Sequence, residues 1–318
     1  MAITDPQSPG LPVGVAVEDW TGDALFHEYT RAANPVGRTT SLVPVEQFPA
    51  SLHRDAPTGV VPLDLSGPLA IDPGPATSPA LLASFATVRA GENLTTAPIA
   101  TSELYVVVAG AGTTETDAGE VVGWGQGDVL VLPGGCRSTH RATADATLYW
   151  VTDEPLLRHL GVGPTERRFR PTRWAADRSA AELARVAAEP AAERRNRVSV
   201  LLGGAEQDQT LTATHVLWAM VGLLPVDAVQ KAHRHQSVAL DLILDCEPGC
   251  YTLVGPRLSS EGRIVDPVRV DWEPGGAFVT PPGWWHSHHN ESGVEAHLLP
   301  VQDAGLHTYL RTLDIRFS

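Results

Sequence analysis

Short apolar runs separated by glycine, proline and aspartate characterise most of the chain from about residue 76 onward. They include LLASFATVRAG, SELYVVVAGAG and GDVLVLPGG in the first half, and SVALDLILDC, GCYTLVG and GGAFVTPPG in the second. Runs of this length, broken repeatedly by turn-forming residues, predict the strands of a barrel or sandwich. We therefore expect an all-β fold.

One segment departs from this pattern and predicts a helix. Residues 176–197 are rich in alanine and charged residues, and Pro190 interrupts them. Four apolar residues within the segment recur at helical spacing, namely Ala181, Leu183, Val186 and Ala187. A helical connector between two β units is the expected structure.

These changes in texture divide the chain into four predicted parts. Residues 1–75 are proline-rich and weakly periodic, which predicts an N-terminal arm with an edge strand in VVPLDL at 60–65. Two β units are expected at 76–165 and 198–318, joined by the helical linker at 166–197.

The two β units share one sequence pattern. In each, an apolar strand and a glycine turn precede a tryptophan, then glycine, then a strand that ends in proline. WGQGDVLVLP follows this pattern from Trp124, and WEPGGAFVTP follows it from Trp272. We interpret the recurrence as an internal duplication of one barrel.

Composition and charge narrow the class of protein. The 318 residues are 43% hydrophobic and 19% charged, which is enough for a sizeable core and argues against disorder. The net charge of -14 makes nucleic acid and anionic membranes unfavourable partners. No apolar run reaches the roughly 18 residues of a membrane span, and the N-terminus has no secretory pattern. A cytoplasmic protein is expected, with free thiols at its three cysteines.

Three histidines of the second unit form a candidate metal site. His233 and His235 are two residues apart at the start of an apolar strand, so both side chains should lie on one face. His286 follows a strand and a Pro-Pro-Gly turn, and hairpins of a barrel can bring it beside the pair. A single histidine is usually a surface or core residue, and a His-x-His pair alone is weak evidence. The combined context favours three imidazoles that bind one divalent transition metal.

The segments KAHRHQSVALDLIL and GGAFVTPPGWWHSHHN resemble the two motifs of the cupin superfamily. More narrowly, they resemble gentisate dioxygenase and related bicupin ring-cleaving enzymes. The resemblance implies two cupin (double-stranded β-helix, jelly-roll) barrels, with His233, His235 and His286 as ligands of Fe(II) or another divalent transition metal. Many cupins add a glutamate four or five residues after the pair, where this chain has Ala239 and Leu240. The ring-cleaving relatives also lack that glutamate.

The resemblance also implies residues around the metal. His288 matches a histidine that contacts substrate or oxygen, and it would serve as a catalytic proton shuttle or, alternatively, as a structural donor. Trp218 matches a pocket aromatic. Trp284 is expected to line the cavity and Trp285 to point away from it, although barrel aromatics are more often core residues.

Asp241 is the main departure from the family pattern. By strand parity it should face the metal side, where the relatives usually have an arginine that pairs with the substrate carboxylate. A carboxylate there would repel such a group, so Asp241 predicts a neutral or amino-substituted substrate instead of gentisate or salicylate. The alternative is that Asp241 reaches the metal as a fourth ligand through a strand bulge.

The first unit lacks the ligand histidines. Aligning its strands with the family motif puts Ala97 and Ile99 at the positions of the pair and Ser138 at the third position, with His140 as a structural remnant. Such residues cannot hold a metal, so this barrel is expected to be a packing partner or an interface, which leaves a homo-oligomer open.

The predicted function is an Fe(II)-dependent dioxygenase that acts on a hydroxylated or amino-substituted aromatic, with ring cleavage as the expected reaction. Its partners would be a small aromatic substrate and dioxygen. Two alternatives stay open: a metal cupin isomerase, lyase or decarboxylase without oxygen chemistry, and a non-catalytic small-molecule-binding cupin.

Overall fold

The computed structural model describes residues 21–190 and 192–318, which divide into two compact units between Thr40 and Ser41. The described part of the first unit contains one short helix, α1 (Tyr29–Ala32). The Glu28 carboxylate caps this helix by accepting hydrogen bonds from the backbone N–H groups of Thr30 and Arg31, both at 3.0 Å. The second unit holds all the remaining elements.

Residues 41–75 carry two short strands and two single-turn helices that precede the first barrel. They are β1 (Gln47–Phe48), α2 (Ser51–Arg54), β2 (Gly59–Pro62) and α3 (Ser66–Leu69). β2 is an edge strand that pairs with the first barrel, whereas β1 pairs with the second. This part of the predicted arm is therefore hydrogen-bonded to both barrels. Residues 1–20 lie outside the described residues.

The first barrel is built from seven antiparallel strands and one helix. They are β3 (Leu82–Val88), β4 (Asn93–Thr96), β5 (Ser102–Thr116), β6 (Val121–Gly125), β7 (Val129–Pro133), β8 (Ser138–Thr152), α4 (Glu154–Leu160) and β9 (Thr172–Trp174). With β2 they form one sheet of order β2-β3-β8-β5-β7-β9, to which β4 adds on β8 and β6 adds on β5.

Two long strands, β5 and β8, fold this sheet into a barrel. Their pairing shifts register between Val107 and Gly112, which bends both strands. Gly110 sits in this bulge with φ +84°, and a Cβ there would lie 2.4 Å from the carbonyl oxygen of Asp145. The close approach of the two backbones thus requires glycine at the bend.

The second barrel follows two helices and consists of two facing sheets. The helices are α5 (Ala176–Ala187) and a 3₁₀ turn (Ala192–Arg194). The strands are β10 (Val198–Leu201), β11 (Trp218–Leu224), β12 (His233–Arg234), β13 (Ala239–Asp245), β14 (Cys250–Gly255), β15 (Val268–Asp271), β16 (Ala277–Thr280), β17 (Trp285–Asn290), β18 (Ala296–Gln302) and β19 (Arg316–Phe317), with α6 (Ala304–Leu310) before the last strand. One sheet has the order β1-β16-β13-β18-β11-β10, and the other has the order β15-β14-β17-β12-β19.

The buried apolar residues that the structure describes form three clusters, and successive residues of a strand pack in different clusters. The largest cluster draws on both barrels and includes Phe85 and Tyr149 from the first with Leu240 and Leu242 from the second. Separate clusters fill the two barrel interiors. On β13, Ile243 lies between Leu242 and Leu244 and belongs to the interior of the second barrel, whereas its two neighbours pack in the largest cluster. Alternate residues of this strand therefore face different cores.

The predicted all-β, two-barrel cupin architecture is confirmed. The helical linker is partly corrected, because Thr172–Trp174 forms β9 and pairs with β7 of the first barrel. The helix itself occupies Ala176–Ala187 and ends three residues before Pro190. The domain limits at 75, 165 and 197 stay predictions. In the described ranges, no helix combines the length and apolar character that crossing a membrane requires.

Candidate metal centre

The three predicted histidines meet inside the second barrel. β12 runs antiparallel to β17 with His233 directly opposite His286, and His235 follows β12 by one residue. The nearest ligand nitrogens of the three side chains all lie within 4.8 Å of one another. Each side chain is almost fully buried, with 2–3% of its surface exposed. Strand pairing therefore assembles the trio that the spacing predicts.

Backbone carbonyls fix the tautomers of two of these histidines. The Nδ1 of His235 lies 2.9 Å from the carbonyl oxygen of Ser237, and the Nδ1 of His286 lies 3.2 Å from that of Trp284. A carbonyl only accepts, so in a neutral ring each Nδ1 carries the proton and each Nε2 keeps its lone pair. The Nε2 of His235 is buried without a partner in the described structure. An orphaned lone pair with a carbonyl behind the ring fits a metal ligand.

Burial keeps these imidazoles neutral. It lowers the pKa of His235 to about 4 and holds the pKa values of His233 and His286 well below their usual range, with the neighbouring imidazoles as a secondary cause. The neutral ring is the form that coordinates a metal. The donor set, three neutral nitrogens without a carboxylate, suits iron, zinc, copper or nickel better than magnesium or calcium.

Arg197 contacts the histidines and is not predicted from the sequence. It lies just before β10, and its Nη2 donates to the Nε2 of His233 and to the Nε2 of His288, both at 3.1 Å. It is the last residue of the predicted helical linker, where an arginine carries no signal of a functional site. A positively charged group therefore faces the histidines of the candidate metal site from the residue just before β10.

His288 is fully buried and bonded at both nitrogens. Because Arg197 can only donate, the Nε2 of His288 must accept, so its Nδ1 donates to the Oγ1 of Thr252 at 2.7 Å. The indole N–H of Trp272 donates to the same Oγ1 at 2.8 Å. We call His288, Thr252 and Trp272 the second-barrel polar trio.

The first barrel contains the same arrangement without the metal ligands. His140 Nδ1 lies 2.8 Å from the Oγ1 of Thr114, and the indole N–H of Trp124 donates to that Oγ1 at 2.9 Å. This first-barrel polar trio matches the second-barrel one residue for residue. It provides physical evidence for the duplication and indicates that the histidine–threonine–tryptophan unit belongs to the barrel itself.

Strand register corrects the alignment of the first barrel. Thr96 lies opposite Ser138, as His233 lies opposite His286. The ligand pair therefore corresponds to Thr96 and Pro98 instead of Ala97 and Ile99, a shift of one residue. Ser138 does occupy the third ligand position. None of the residues at these three positions is a ligand for a divalent transition metal.

A cavity of about 230 Å³ opens beside the histidines. Its walls come from both sheets of the second barrel and are formed by Arg197, Ser199, Leu201, Trp218, Met220, His233, His235, Gln302, Ile315 and Phe317. Trp218 lies in the wall, where the sequence predicts it. Its indole Nε1 is buried with no partner among the described residues, so it is free to donate to a ligand.

The other predicted pocket residues lie farther back. Trp284 is half-buried and does not line this cavity, although its carbonyl contacts His286. The guanidinium of Arg234 stacks on Trp285 at 5.2 Å, outside the cavity walls. Asp241 is 2% exposed, shares the interior side of β13 with Ile243, and lies outside the clustered ligand atoms.

Two interactions set the charge of Asp241. Burial raises its pKa to about 6, against a hydrogen bond from Thr280 at 2.9 Å and the attraction of Arg197, which both lower it. At neutral pH the carboxylate thus partly balances the guanidinium of Arg197. The negative charge that the sequence predicts at Asp241 is thus accompanied by the positive charge of Arg197, which the sequence does not predict.

No family model matches the chain. Among curated proteins it is similar to 5-aminosalicylate 1,2-dioxygenase of Comamonas sp, with 36% identity over 93 residues, or 29% of this chain and 24% of that protein. It is also similar to 1-hydroxy-2-naphthoate 1,2-dioxygenase of Nocardioides sp. strain KP7, with 27% identity over 159 residues, or 49% of this chain and 38% of that protein. The matched stretches thus span less than two fifths of either relative.

Solved structures extend the similarity to most of the fold. Salicylate 1,2-dioxygenase from Pseudaminobacter salicylatoxidans superposes with a TM-score of 0.67 at 14% identity, covering 87% of this chain and 88% of that one. A variant of that enzyme in complex with gentisate also gives 0.67, at 16% identity and 87% coverage of each chain. Oxalate decarboxylase of Bacillus subtilis gives 0.54 at 11% identity, covering 83% of this chain and 77% of that one. The resemblance to the bicupin dioxygenases is confirmed.

Proposed function

We propose that this protein is a non-haem Fe(II)-dependent dioxygenase that cleaves a hydroxylated or amino-substituted aromatic ring. The observation that carries the proposal is the convergence of three neutral imidazoles without a carboxylate ligand, two of which, His233 and His235, line an open cavity. His235 and His286 would hold the ion together with His233, whose Nε2 becomes available once Arg197, which donates to it at 3.1 Å, releases that atom. Three protein ligands leave positions for other molecules, as redox chemistry with dioxygen requires.

When bound, iron would supply the redox chemistry that allows dioxygen to react with the ring. The proposed reaction consumes one dioxygen per ring, breaks one carbon–carbon bond of the ring and leaves both oxygen atoms in the product. The protein's contribution is to bind the ring, orient it and exclude bulk water. Cavity residues from both sheets are available for these tasks.

Arg197 is the proposed partner of an anionic substituent on the ring. Its guanidinium lines the cavity and has no carboxylate within ion-pair distance in the described structure. At an effective dielectric near 20, two opposite charges about 4 Å apart attract by roughly 4 kcal/mol before desolvation. Asp241 alone would repel a ring with a carboxylate, but Arg197 attracts one. We therefore propose that a ring with a carboxylate can bind at this site.

Asp241 remains a proposed substrate-selecting residue. Together with Arg197 it gives the barrel interior one charge of each sign, which fits a ring that carries both an anionic and an amino group. The curated relative named for 5-aminosalicylate supports this substrate class. We propose a hydroxylated or amino-substituted benzoate as the substrate.

His288 has a proposed role through Arg197. Its Nε2 accepts from the guanidinium, so it orients the cation toward the histidines, and a lone pair at that atom could also receive a substrate proton once Arg197 turns to a ligand. Trp218 would donate its indole N–H to the ring substituents. Trp284 is proposed as a support of His286 and not as a cavity wall.

Oxygen uptake tests the proposed function. Protein loaded with Fe(II) under argon is mixed with 5-aminosalicylate, gentisate or salicylate in air-saturated buffer, and dioxygen consumption and ring absorbance are followed. We expect one dioxygen per ring opened and no reaction by His286→Ala. Substrate loss under argon would instead support a lyase, isomerase or decarboxylase, and binding without turnover would support a non-catalytic cupin.

A further inference from the structure

The segment 314–318 forms one side of the cavity. Its strand β19 pairs antiparallel with β12, so that Phe317 lies opposite His233 and Arg316 lies opposite Arg234. The backbone N–H of Ser318 donates to the carbonyl of Ala232 at 2.9 Å. The segment thus runs directly beside β12, which contains His233 and immediately precedes His235.

A side-chain contact holds the other end of this segment. The backbone N–H of Asp314 donates to Oε1 of Gln236 at 2.7 Å, and Gln236 immediately follows His235. Hydrogen bonds therefore attach the segment on both sides of the histidine pair. Its distance from the metal site is fixed by the ligand strand itself.

Strand alternation turns two apolar side chains into the cavity. Ile315 and Phe317 line the cavity. The alternate residues, Asp314 and Arg316, point to the other face of the strand and form an exposed ion pair at 2.6 Å. The ring of Phe317 lies 6.1 Å from that of His233, with 21° between the planes. Phe317 therefore lies beside a candidate metal ligand at the mouth of the cavity, where 58% of its surface is exposed.

The opposite sheet supplies the other apolar walls. Leu201 belongs to β10, and Trp218 and Met220 belong to β11, in the six-stranded sheet, whereas β12 and β19 belong to the five-stranded sheet. The cavity thus lies between apolar side chains of two sheets. Its volume of about 230 Å³ is below the roughly 300–1,000 Å³ typical of sites for drug-sized ligands.

We propose that Ile315 and Phe317 determine substrate size, so that the site accepts a single aromatic ring and excludes a fused two-ring acid. The inference rests on the proposed function, because it assigns the apolar walls to an aromatic substrate. Phe317 is the principal determinant, since its side chain is the larger and it lies against His233. Removing its ring opens the space that a second fused ring needs.

Binding under argon tests size selection separately from turnover. The Kd values of 5-aminosalicylate and 1-hydroxy-2-naphthoate are measured by calorimetry on Fe(II)-loaded wild type, Phe317→Ala, Phe317→Leu and Ile315→Ala. Leu310→Ala is the matched control, because Leu310 is an exposed apolar residue of α6 that does not line the cavity. Metal content and circular dichroism are recorded for each variant.

We expect wild type to prefer the single-ring acid, and Phe317→Ala to reduce that preference by about tenfold or more, the scale of discrimination by apolar pockets. Ile315→Ala and Phe317→Leu should reduce it less, and Leu310→Ala should not change it.

An unchanged ratio in Ile315→Ala and both Phe317 variants, with metal retained, would overturn the inference. If Phe317→Ala loses metal, Phe317→Leu and Ile315→Ala decide by the same ratio. Failure of wild type to consume dioxygen with either acid would overturn the proposed function, while the Kd ratio still decides on size selection.

Discussion

At the scale of single residues, hydrogen-bond direction determines what each imidazole can do. Backbone carbonyls behind His235 and His286 direct their Nε2 lone pairs inward, and the guanidinium of Arg197 fixes the tautomer of His288. The histidine spacing was sufficient to predict the trio, since strand geometry puts alternate residues on one face. Arg197 could not be predicted, because its contact with His288 joins positions 91 residues apart in the chain.

The contact of Arg197 with the site predicts a specific kinetic effect. Arg197→Gln removes the cation but keeps a polar side chain, so KM for a carboxylate-bearing substrate should rise by roughly 10²-fold, while metal content stays unchanged. Arg197→Lys should restore part of the loss, since it returns the charge without the planar fork. Steady-state kinetics with parallel metal analysis measures both effects. An equal KM for wild type and Arg197→Gln would contradict a role in substrate binding.

At the scale of elements, strands were easier to predict than their pairing. Apolar runs such as ALDLILD and LYVVVAG identify β13 and β5. Both faces of these strands are apolar because alternate residues pack in the shared core and in the interior of their own barrel. The three-residue strand β9 was missed, since Thr172–Trp174 is too short to show a period and owes its conformation to pairing with β7. The alignment of the first ligand position with Ala97 instead of Thr96 has the same origin, because the register of a strand depends on its partner strand.

A buried carboxyl group inside the first barrel predicts a pH dependence of stability. Burial raises the pKa of Glu103 to about 8, although Tyr105 and Trp150 donate to its Oε2 at 2.6 and 3.2 Å and lower it. The folded state thus holds a proton that the unfolded chain releases near pH 4.5. The contribution of Glu103 is fully present below pH 4.5 and is lost as the pH rises through about 8.

Glu103→Gln should therefore weaken the dependence of stability on pH. Between pH 6 and 9 the wild type should lose on the order of 2–3 kcal/mol of unfolding free energy more than the variant does. Denaturant titrations at the two pH values measure the difference, with Glu92→Gln on the surface of the same barrel as the control. Identical pH dependence in wild type and Glu103→Gln would mean that Glu103 is ionised in the folded protein.

At the scale of the whole molecule, the two barrels have one fold and different chemical content. Tertiary pairing joins them through residues 41–62, since β1 adds to the second barrel and β2 to the first. The sequence predicted both barrels and placed the three clustered histidines in the second one. It did not predict Ile315 and Phe317 as cavity walls, because their segment reaches the site only by pairing with a distant strand, and the paired residues His233 and Phe317 are 84 positions apart.

The unequal barrels predict one metal ion per chain. Elemental analysis of purified protein should give about one transition metal, and His286→Ala should lower this value toward zero because two imidazoles bind far more weakly than three. Ser138→Ala is the matched control at the equivalent strand position of the first barrel and should keep full occupancy. Two ions per wild-type chain, or loss of metal from Ser138→Ala, would contradict the assignment of a single site.

The paired polar trios separate two tasks of the barrel interior, bracing and metal binding. His140, Thr114 and Trp124 have the geometry of His288, Thr252 and Trp272, although among the described residues only the second set lies beside a cluster of histidines that could hold a metal. In the first barrel the trio therefore braces the interior without the three clustered histidines beside it. The same bracing in the second barrel is separable from metal binding, because Thr252 and Trp272 hydrogen-bond to each other and Thr252 contacts His288, which is not one of the clustered histidines.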